Sequence, residues 1–476
     1  MLRQQRAKLN SGNATPRREV YQLVIPIPDN LPPELMSFLI QNALLITSNA
    51  NDDIYRGDLL IEGSQIREIG KVSRPAATTL DATGMWALPG FVQTHVHLCQ
   101  TLFRGLADDL ELLDWLQRRI WPLEAAHNAA SLYWSARLGI AELLKGGTTT
   151  VLSMETVRHT EEAFRAIEET GIRAVAGKCI MDVGDAPSPL QEESRNALEE
   201  SLALLKQWNG RADGRIRYAF APRFALSCSR EIMEEIGRTA KTSQTLVHTH
   251  ASENKKEVEL VRQQTGQANV EYFRSIGLMA PNLFLAHCIW LNDREISLLR
   301  ETETRVTHCP GSNLKLASGI ADITRYKKEG LVLSLGADGA PCNNNLDMFQ
   351  EMKLAALLQK ILHGPTALPA KEVFRLATIE GAHALHCDGE IGSLEAGKRA
   401  DIVIFDPRGA ALWPNRDVYS TLVYAGRPQN VRYVFVNGEL LVEGGRLARH
   451  DEEEVLRKSE EALTELLPRA ERLGFR

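Results

Sequence analysis

Between residues 86 and 340 the chain repeats one pattern: a short apolar run, a polar loop, then an amphipathic stretch. The strand-like runs fall at 86–98, 148–156, 172–182, 216–224, 245–253, 282–290, 305–313 and 332–340. Between most of them lie helix-like segments such as AASLYWSARLGIAELLKGG, TEEAFRAIEETG, SREIMEEIGRTAKT and DREISLLRETE. Nearly continuous apolar strands alternating with helices indicate a parallel sheet buried on both faces. Eight such units favour an α/β fold closed into a (β/α)8 TIM-like barrel over an open doubly wound sheet. No Gly-x-Gly-x-x-Gly turn follows the first strand, which weakens a dinucleotide-binding reading.

The flanks have a different texture. Short β-rich stretches (ALLIT, GDLLIEGSQIREIG, TLDATGMWALPG) precede the barrel, and GSLEAGKRADIVIFD and VRYVFVNGELLVEGGRL follow it. They predict one small β-sandwich built from both chain ends. The expected organisation is an N-terminal extension (1–35), the sandwich (36–88 plus 391–445), the barrel (89–390) and a C-terminal helix (446–476). The extension contains PIPDNLPPEL and has no strand or helix period. The final segment, DEEEVLRKSEEALTELLPRAERL, reads as a solvated helix with i,i+4 charge pairs.

Composition narrows the partners. A net charge of -6 and a pI near 6.1 give no footprint for nucleic acid or anionic membrane and suit a small, uncharged substrate. No apolar run approaches the roughly 18 residues of a membrane span, and the polar, basic start MLRQQRAKLNSGNATPRREV has no apolar core of a secretory signal. The seven cysteines are scattered and never form CxxC. That argues against a disulfide framework and a thiolate zinc cluster, and it suits a reducing, cytoplasmic compartment.

A barrel enzyme carries its reactive groups at the C-terminal ends of its strands. Here strand one ends in Thr94-His95-Val96-His97, strand five in His248-Thr249-His250-Ala251-Ser252-Glu253, strand six in His287 and strand eight in Asp338. Residues i and i+2 of a strand project to one side, so His95 and His97 can share an ion. Alone, an HxH pair fits a metal-free strand equally well. A third histidine and an aspartate at other strand ends make His95, His97, His250 and Asp338 the expected ligands of one divalent ion, zinc first and iron as the alternative.

Such an ion lowers the pKa of water, and a carboxylate beside it can shuttle the proton. Glu253 is the candidate, with His287 and Asp338 as its catalytic companions. The competing reading makes Glu253 a cap of the helix that starts near NKKEVELVRQQ. His248 alternates with His250 and competes for the metal, while His308 either lines the pocket or orients a loop. Cys309 and Cys342 lack a dedicated base and read as small pocket residues. His127, His159, His363, His383, His386 and His450 sit in helices or polar stretches and read as surface or packing groups.

The motifs PGFVQTHVHL, HTHASEN, LAHCIWL, THCPGSNLKLASG, LSLGADGAPCNNNLDMFQEMKLAALLQK and EIGSLEAGKRADIVIFD resemble the amidohydrolase superfamily over residues 36–445. Within it the chain is similar to the branch of methylthioadenosine, adenosylhomocysteine and 5'-deoxyadenosine deaminases, with guanine and triazine aminohydrolases alongside. The resemblance implies the same four metal ligands, with Glu253 and His287 beside the reactive water, and a purine or purine-like substrate handled by a homo-oligomer.

TLFRGLADDLELLDWLQRRIWPLE is similar to the adenosine-derivative enzymes, which implies that Trp115 flanks the substrate and Glu124 grips ribose hydroxyls. APRFALSCS, by contrast, puts Arg223 and Phe224 where those enzymes carry a histidine motif. It resembles guanine deaminase, as does Gln100 in HLCQ. An Arg–Gln pair suits a purine carbonyl and ring nitrogens; the plainer reading pairs Arg223 with an acidic neighbour. The expected reaction is therefore deamination of an adenosine-type nucleoside to its inosine analogue. Guanine deamination and triazine hydrolysis remain the alternatives. Gln100, Trp115, Glu124, Arg223, Phe224, Glu253, His287 and Cys342 are the expected substrate contacts.

Overall fold

The structure, a computed structural model, describes residues 37–475. The expected extension at 1–35 lies outside them. Eight parallel strands form the barrel path of a nine-stranded central sheet: β1 Phe91–Val96, β2 Thr148–Met154, β3 Arg173–Gly177, β4 Ile216–Pro222, β5 Leu246–Ala251, β6 Leu283–His287, β7 Arg305–His308 and β8 Val332–Leu335, with the two-residue Cys179–Ile180 also paired to β4. Each pairs in parallel with the next. A bridge from Val96 to Asp338 brings the last strand's exit against the first. Every residue of β1, β2, β3, β6 and β7 is buried, as strands sealed between barrel core and outer helices must be.

All eight predicted strands are present, but the third breaks at Lys178 and the first divides. Trp86–Pro89 joins the sheet made by the chain ends, and Phe91–Val96 enters the barrel. The chain passes from one to the other at Gly90, where a β-carbon would lie 2.1 Å from the hydroxyl of Thr149. Only glycine leaves room there for the Thr149 side chain.

Strands from both ends build a second sheet in the order Arg446–Leu447, Glu439–Glu443, Val431–Val436, Ile402–Phe405, Trp86–Pro89, Ser37–Ile46, Ile54–Glu62 and Gln65–Gly70, with Thr78–Asp81 also paired to Ser37–Ile46. Phe38 and Phe435 belong to strands three places apart, yet their rings meet edge to face at 5.3 Å. In a flat sheet strands are spaced by about 4.8 Å. The sheet therefore folds over itself around Ile40, Leu45, Leu59, Ile61, Ile402 and Phe435, as a sandwich does. A buried, two-pronged ion pair, Arg173 to Asp401 at 2.9 and 3.0 Å, ties it to β3.

The C-terminal helix, Glu452–Arg472, is capped by the Asp451 carboxylate and carries three glutamates in its first turn, where the helix dipole favours them. Its solvated reading holds for one face, which carries the Arg457–Glu461 pair. The other face corrects that reading: Val455, Ala462, Leu466 and Ala470 are buried, and the last three pack on Leu102, Phe103, Leu123 and Ala126, next to the barrel's mouth. Among the described residues no helix is long and apolar enough to cross a membrane.

Candidate metal centre and active site

The period of β1 turns His95 and His97 to the same side, where β5 supplies His250 across the barrel. The ring centroids of His95 lie 4.8 Å from those of both His97 and His250. Beyond β8, Asp338 puts Oδ1 at 3.2 Å from Nε2 of both His95 and His97. Donor atoms of His95, His97 and His250 all fall within 4.8 Å of one another, as do those of His95, His287 and Asp338.

The opposite edge of each ring is already engaged. Nδ1 of His97 lies 2.8 Å from the carbonyl of Met154, and Nδ1 of His250 lies 2.7 Å from that of Arg223. A carbonyl only accepts, so Nδ1 carries the proton in both rings and Nε2 keeps a free lone pair. His95 Nδ1 meets Nε2 of His248 at 2.7 Å, and His287 Nδ1 meets Oδ1 of Asn313 at 2.8 Å. Nε2 of His95 and of His287 is buried without a hydrogen-bond partner. Orphaned nitrogens converging beside a carboxylate fit a divalent ion held by nitrogen and oxygen, with the outer partners fixing ring orientation.

Burial makes charge costly here. It lowers His250 and His248 well below the ordinary imidazole value and His95 to about 4, so these rings are neutral, as metal ligation requires. Burial pushes the Asp338 carboxyl upward, but the neighbouring His95 and His97 outweigh it and hold the group well below the carboxylate range. Ser312 donates to its Oδ2 at 2.6 Å. Ser252, His287 and Asp338 all have left-handed backbones, with φ of 51°, 72° and 65°. Such strain, concentrated at three strand ends, is stored where geometry matters for function.

Glu253 faces this cluster, with Oε2 3.5 Å from Nε2 of His287. Burial pushes its carboxyl up to about 7, against the opposing pull of His287. It does not cap the next helix: Lys255–Thr265 is capped by Asn254, whose side chain accepts from the amide of Lys256 at 2.9 Å. Glu257, one turn on, accepts from the backbone N–H of Glu253 at 3.1 Å, and burial raises it to about 8.

A cavity of about 30 Å³ opens on these groups. Of the expected substrate contacts, Gln100, Trp115, Arg223, Phe224, Glu253 and His287 line it. Glu124 and Cys342 do not. Both Glu124 oxygens are occupied: Nη1 of Arg223 reaches Oε2 at 2.6 Å, Nη2 reaches Oε1 at 3.3 Å, and Nε2 of Gln100 donates to Oε1 at 2.7 Å. Cys342 turns its thiol to the carbonyl of Gly339 at 3.0 Å. His308 is buried with neither ring nitrogen bonded and is not part of the wall.

Sequence reasoning missed Glu257, Ser312 and Asn313, and it read His248 as a rival ligand where the structure has it holding His95. For Glu257 a signal existed: it stands four residues after Glu253, in the first turn of the helix that follows. Ser312 and Asn313 lie in the quoted THCPGSN motif, but nothing in their spacing tells which ligands they meet.

The amidohydrolase family model matches residues 86–441. A 5'-deoxyadenosine deaminase of Methanothermobacter thermautotrophicus is 42% identical over 87% of this chain and 95% of that protein. A 5-methylthioadenosine/S-adenosylhomocysteine deaminase of Syntrophomonas wolfei is 37% identical over 91% of this chain and 100% of that protein. An adenosine deaminase from Xanthomonas campestris, solved with bound zinc, superposes with a TM-score of 0.86 at 30% identity, covering 92% of this chain and 100% of that one. By the reach of these matches and the barrel they share, the chain belongs to the amidohydrolase family.

Proposed function

We propose that this chain is a zinc-dependent aminohydrolase that converts an adenosine-type nucleoside (5'-deoxyadenosine, methylthioadenosine or adenosylhomocysteine) into its inosine analogue and ammonia. One observation carries the chemistry: a buried carboxylate, Glu253, faces His287 at 3.5 Å beside converging His95, His97, His250 and Asp338. The substrate class rests on the deaminases to which the chain is similar, and zinc on the nitrogen–oxygen donor set and the zinc in the similar adenosine deaminase.

His95, His97, His250 and Asp338 would hold the ion, which when bound supplies acidified water as nucleophile at neutral pH. With a pKa near 7, Glu253 can pass one proton from the attacking water to the ring nitrogen, and then the second, from the added hydroxyl, to the departing amine. A carbon–oxygen bond forms, the exocyclic carbon–nitrogen bond breaks, and ammonia leaves with the transferred proton. His287, whose Nδ1 donates to Asn313, is placed to accept at Nε2 a hydrogen bond from the attacking water.

A second reading, guanine to xanthine, is favoured by Gln100 and Arg223 standing in the cavity wall while Glu124 is withdrawn. Ammonia release from the three nucleosides and from guanine, with Glu253→Gln as control, tests both. Nucleoside turnover supports the first reading, and turnover of guanine alone replaces it with the second. Absence of metal-dependent release from every substrate refutes the deaminase reading.

Two broader proposals accompany it. Seven free, buried cysteines support a cytoplasmic setting. Leu357, Ile361 and Leu362, exposed on one helix, support a homo-oligomer, which light scattering would test.

A further inference from the structure

Away from Glu253 and the metal-ligating cluster, the cavity has largely apolar walls. Leu112, Trp115 and Leu116 line one side of the cavity and Phe224 another. Behind them pack Met154, Val157, Met181 and Leu190, so the surroundings stay apolar beyond the first layer of side chains.

The charged groups around this wall are already matched. Arg223 is neutralised by Glu124 at 2.6 Å with both side chains buried, Lys256 is paired with Glu111 at 3.0 Å, and Lys315 with Asp108 at 2.5 Å. Arg119 lies over the ring of Phe475 at 5.3 Å, and Arg118 is exposed outside the wall. Glu257 accepts from Asn269 and from the backbone N–H of Glu253, so away from Glu253 and the metal-ligating cluster the cavity residues leave only neutral groups unmet. Gln100 Oε1 and Trp115 Nε1 are buried with no hydrogen-bond partner. Glu124 fixes the Gln100 amide by taking its NH2 group, so the free atom is the acceptor. One free acceptor and one free donor suit hydroxyls and ring nitrogens, whereas an ammonium or carboxylate brought here would be buried without a partner.

Building on the nucleoside-deaminase reading, we propose that this pocket selects nucleosides with an uncharged 5' end, 5'-deoxy or alkylthio, and rejects the zwitterionic tail of adenosylhomocysteine. The pocket thereby separates two substrate types that the similar deaminases span by name.

The test is kcat/KM of the metal-loaded, full-length protein for four compounds: 5'-deoxyadenosine, methylthioadenosine, 5'-butylthioadenosine and adenosylhomocysteine. The butylthio compound matches the length of the homocysteine tail without its charges, and so separates size from charge. The expected result is that the three uncharged compounds fall within about tenfold of one another, with adenosylhomocysteine about 100-fold or more below them, as an unpaired buried charge dictates. Leu116→Arg, which adds a cation to the wall, should narrow that gap at least tenfold.

Comparable turnover of adenosylhomocysteine overturns the inference and points to Arg118 as the group that meets its carboxylate. Equally poor turnover of the butylthio compound overturns it in favour of a limit on size. In both cases the deaminase reading stands, because 5'-deoxyadenosine is still consumed. Ammonia from none of the four defeats that reading itself.

Discussion

Replacing Arg223 with methionine removes the only cation that meets Glu124 among the described residues and leaves that carboxylate buried with a single amide donor, Gln100. The side chains of the pair are 5% and 1% exposed, so water cannot compensate. Breaking such a pair from one side costs about 3–5 kcal/mol. An unfolding entropy of about 2 cal/mol/K per residue, over the roughly 440 described residues, turns that cost into a fall of about 4 °C in the melting midpoint. Glu124→Gln should fall by a similar amount, since it strands the guanidinium. The double variant removes both charges and should recover to within about 1–2 kcal/mol of the parent, because a neutral pair carries no such penalty. The assay is a thermal melt of all four proteins at one concentration and one metal load. A double variant that melts lower than either single variant, by the sum of their shifts, would show that the two residues do not neutralise each other, and the uncharged-pocket argument would fall with the pair.

Glu253→Gln should lower kcat by about 10²–10⁴-fold while metal content, measured by plasma mass spectrometry, stays unchanged. The Glu253 carboxyl is raised to about 7, so its basic form is lost as pH drops through neutrality. The acid limb of kcat/KM should fall below about pH 7, and a pH profile with no such limb would argue against Glu253 as the base. His248→Ala frees Nδ1 of His95 and should weaken metal affinity by about 10–100-fold in competition with a chromogenic chelator; unchanged affinity would assign His248 to packing alone. Glu351, buried under the loop that carries Ser312 and Asn313, has its carboxyl raised from 4.5 to about 8. The folded state thus binds this proton more tightly than the unfolded one, and the stability it contributes is complete below pH 4.5 and lost as pH rises towards 8. Urea melts across that range should show a flatter pH slope in Glu351→Gln than in the parent.

The barrel was legible because buried parallel strands leave near-continuous apolar runs, and because polar residues at their ends have no packing reason to be there. His95 and His97 announce themselves through the strand period, and His287 and Asp338 through position. The chain crossing at Gly90 was not legible. A glycine between two apolar runs looks the same whether the strand continues or changes sheet, and only the 2.1 Å approach to Thr149 distinguishes the two. The C-terminal helix misled for a different reason: its buried stripe includes Ser459 and Ala462, small residues whose burial charge-rich neighbours conceal.

The deeper gap concerns charge. Motif spacing identifies groups that lie close in sequence, such as His250 and Glu253, and strand order relates one strand end to another. Neither tells which cation neutralises which anion 99 residues away, as Arg223 does Glu124. Yet that pairing decides whether Glu124 faces a substrate hydroxyl as a free carboxylate or stands behind Gln100 as half of a neutral pair. The reaction type depends on groups that one barrel end gathers by geometry, so it could be read from the sequence. Substrate choice depends on which charges remain after long-range pairing, and that becomes visible only when the walls are assembled.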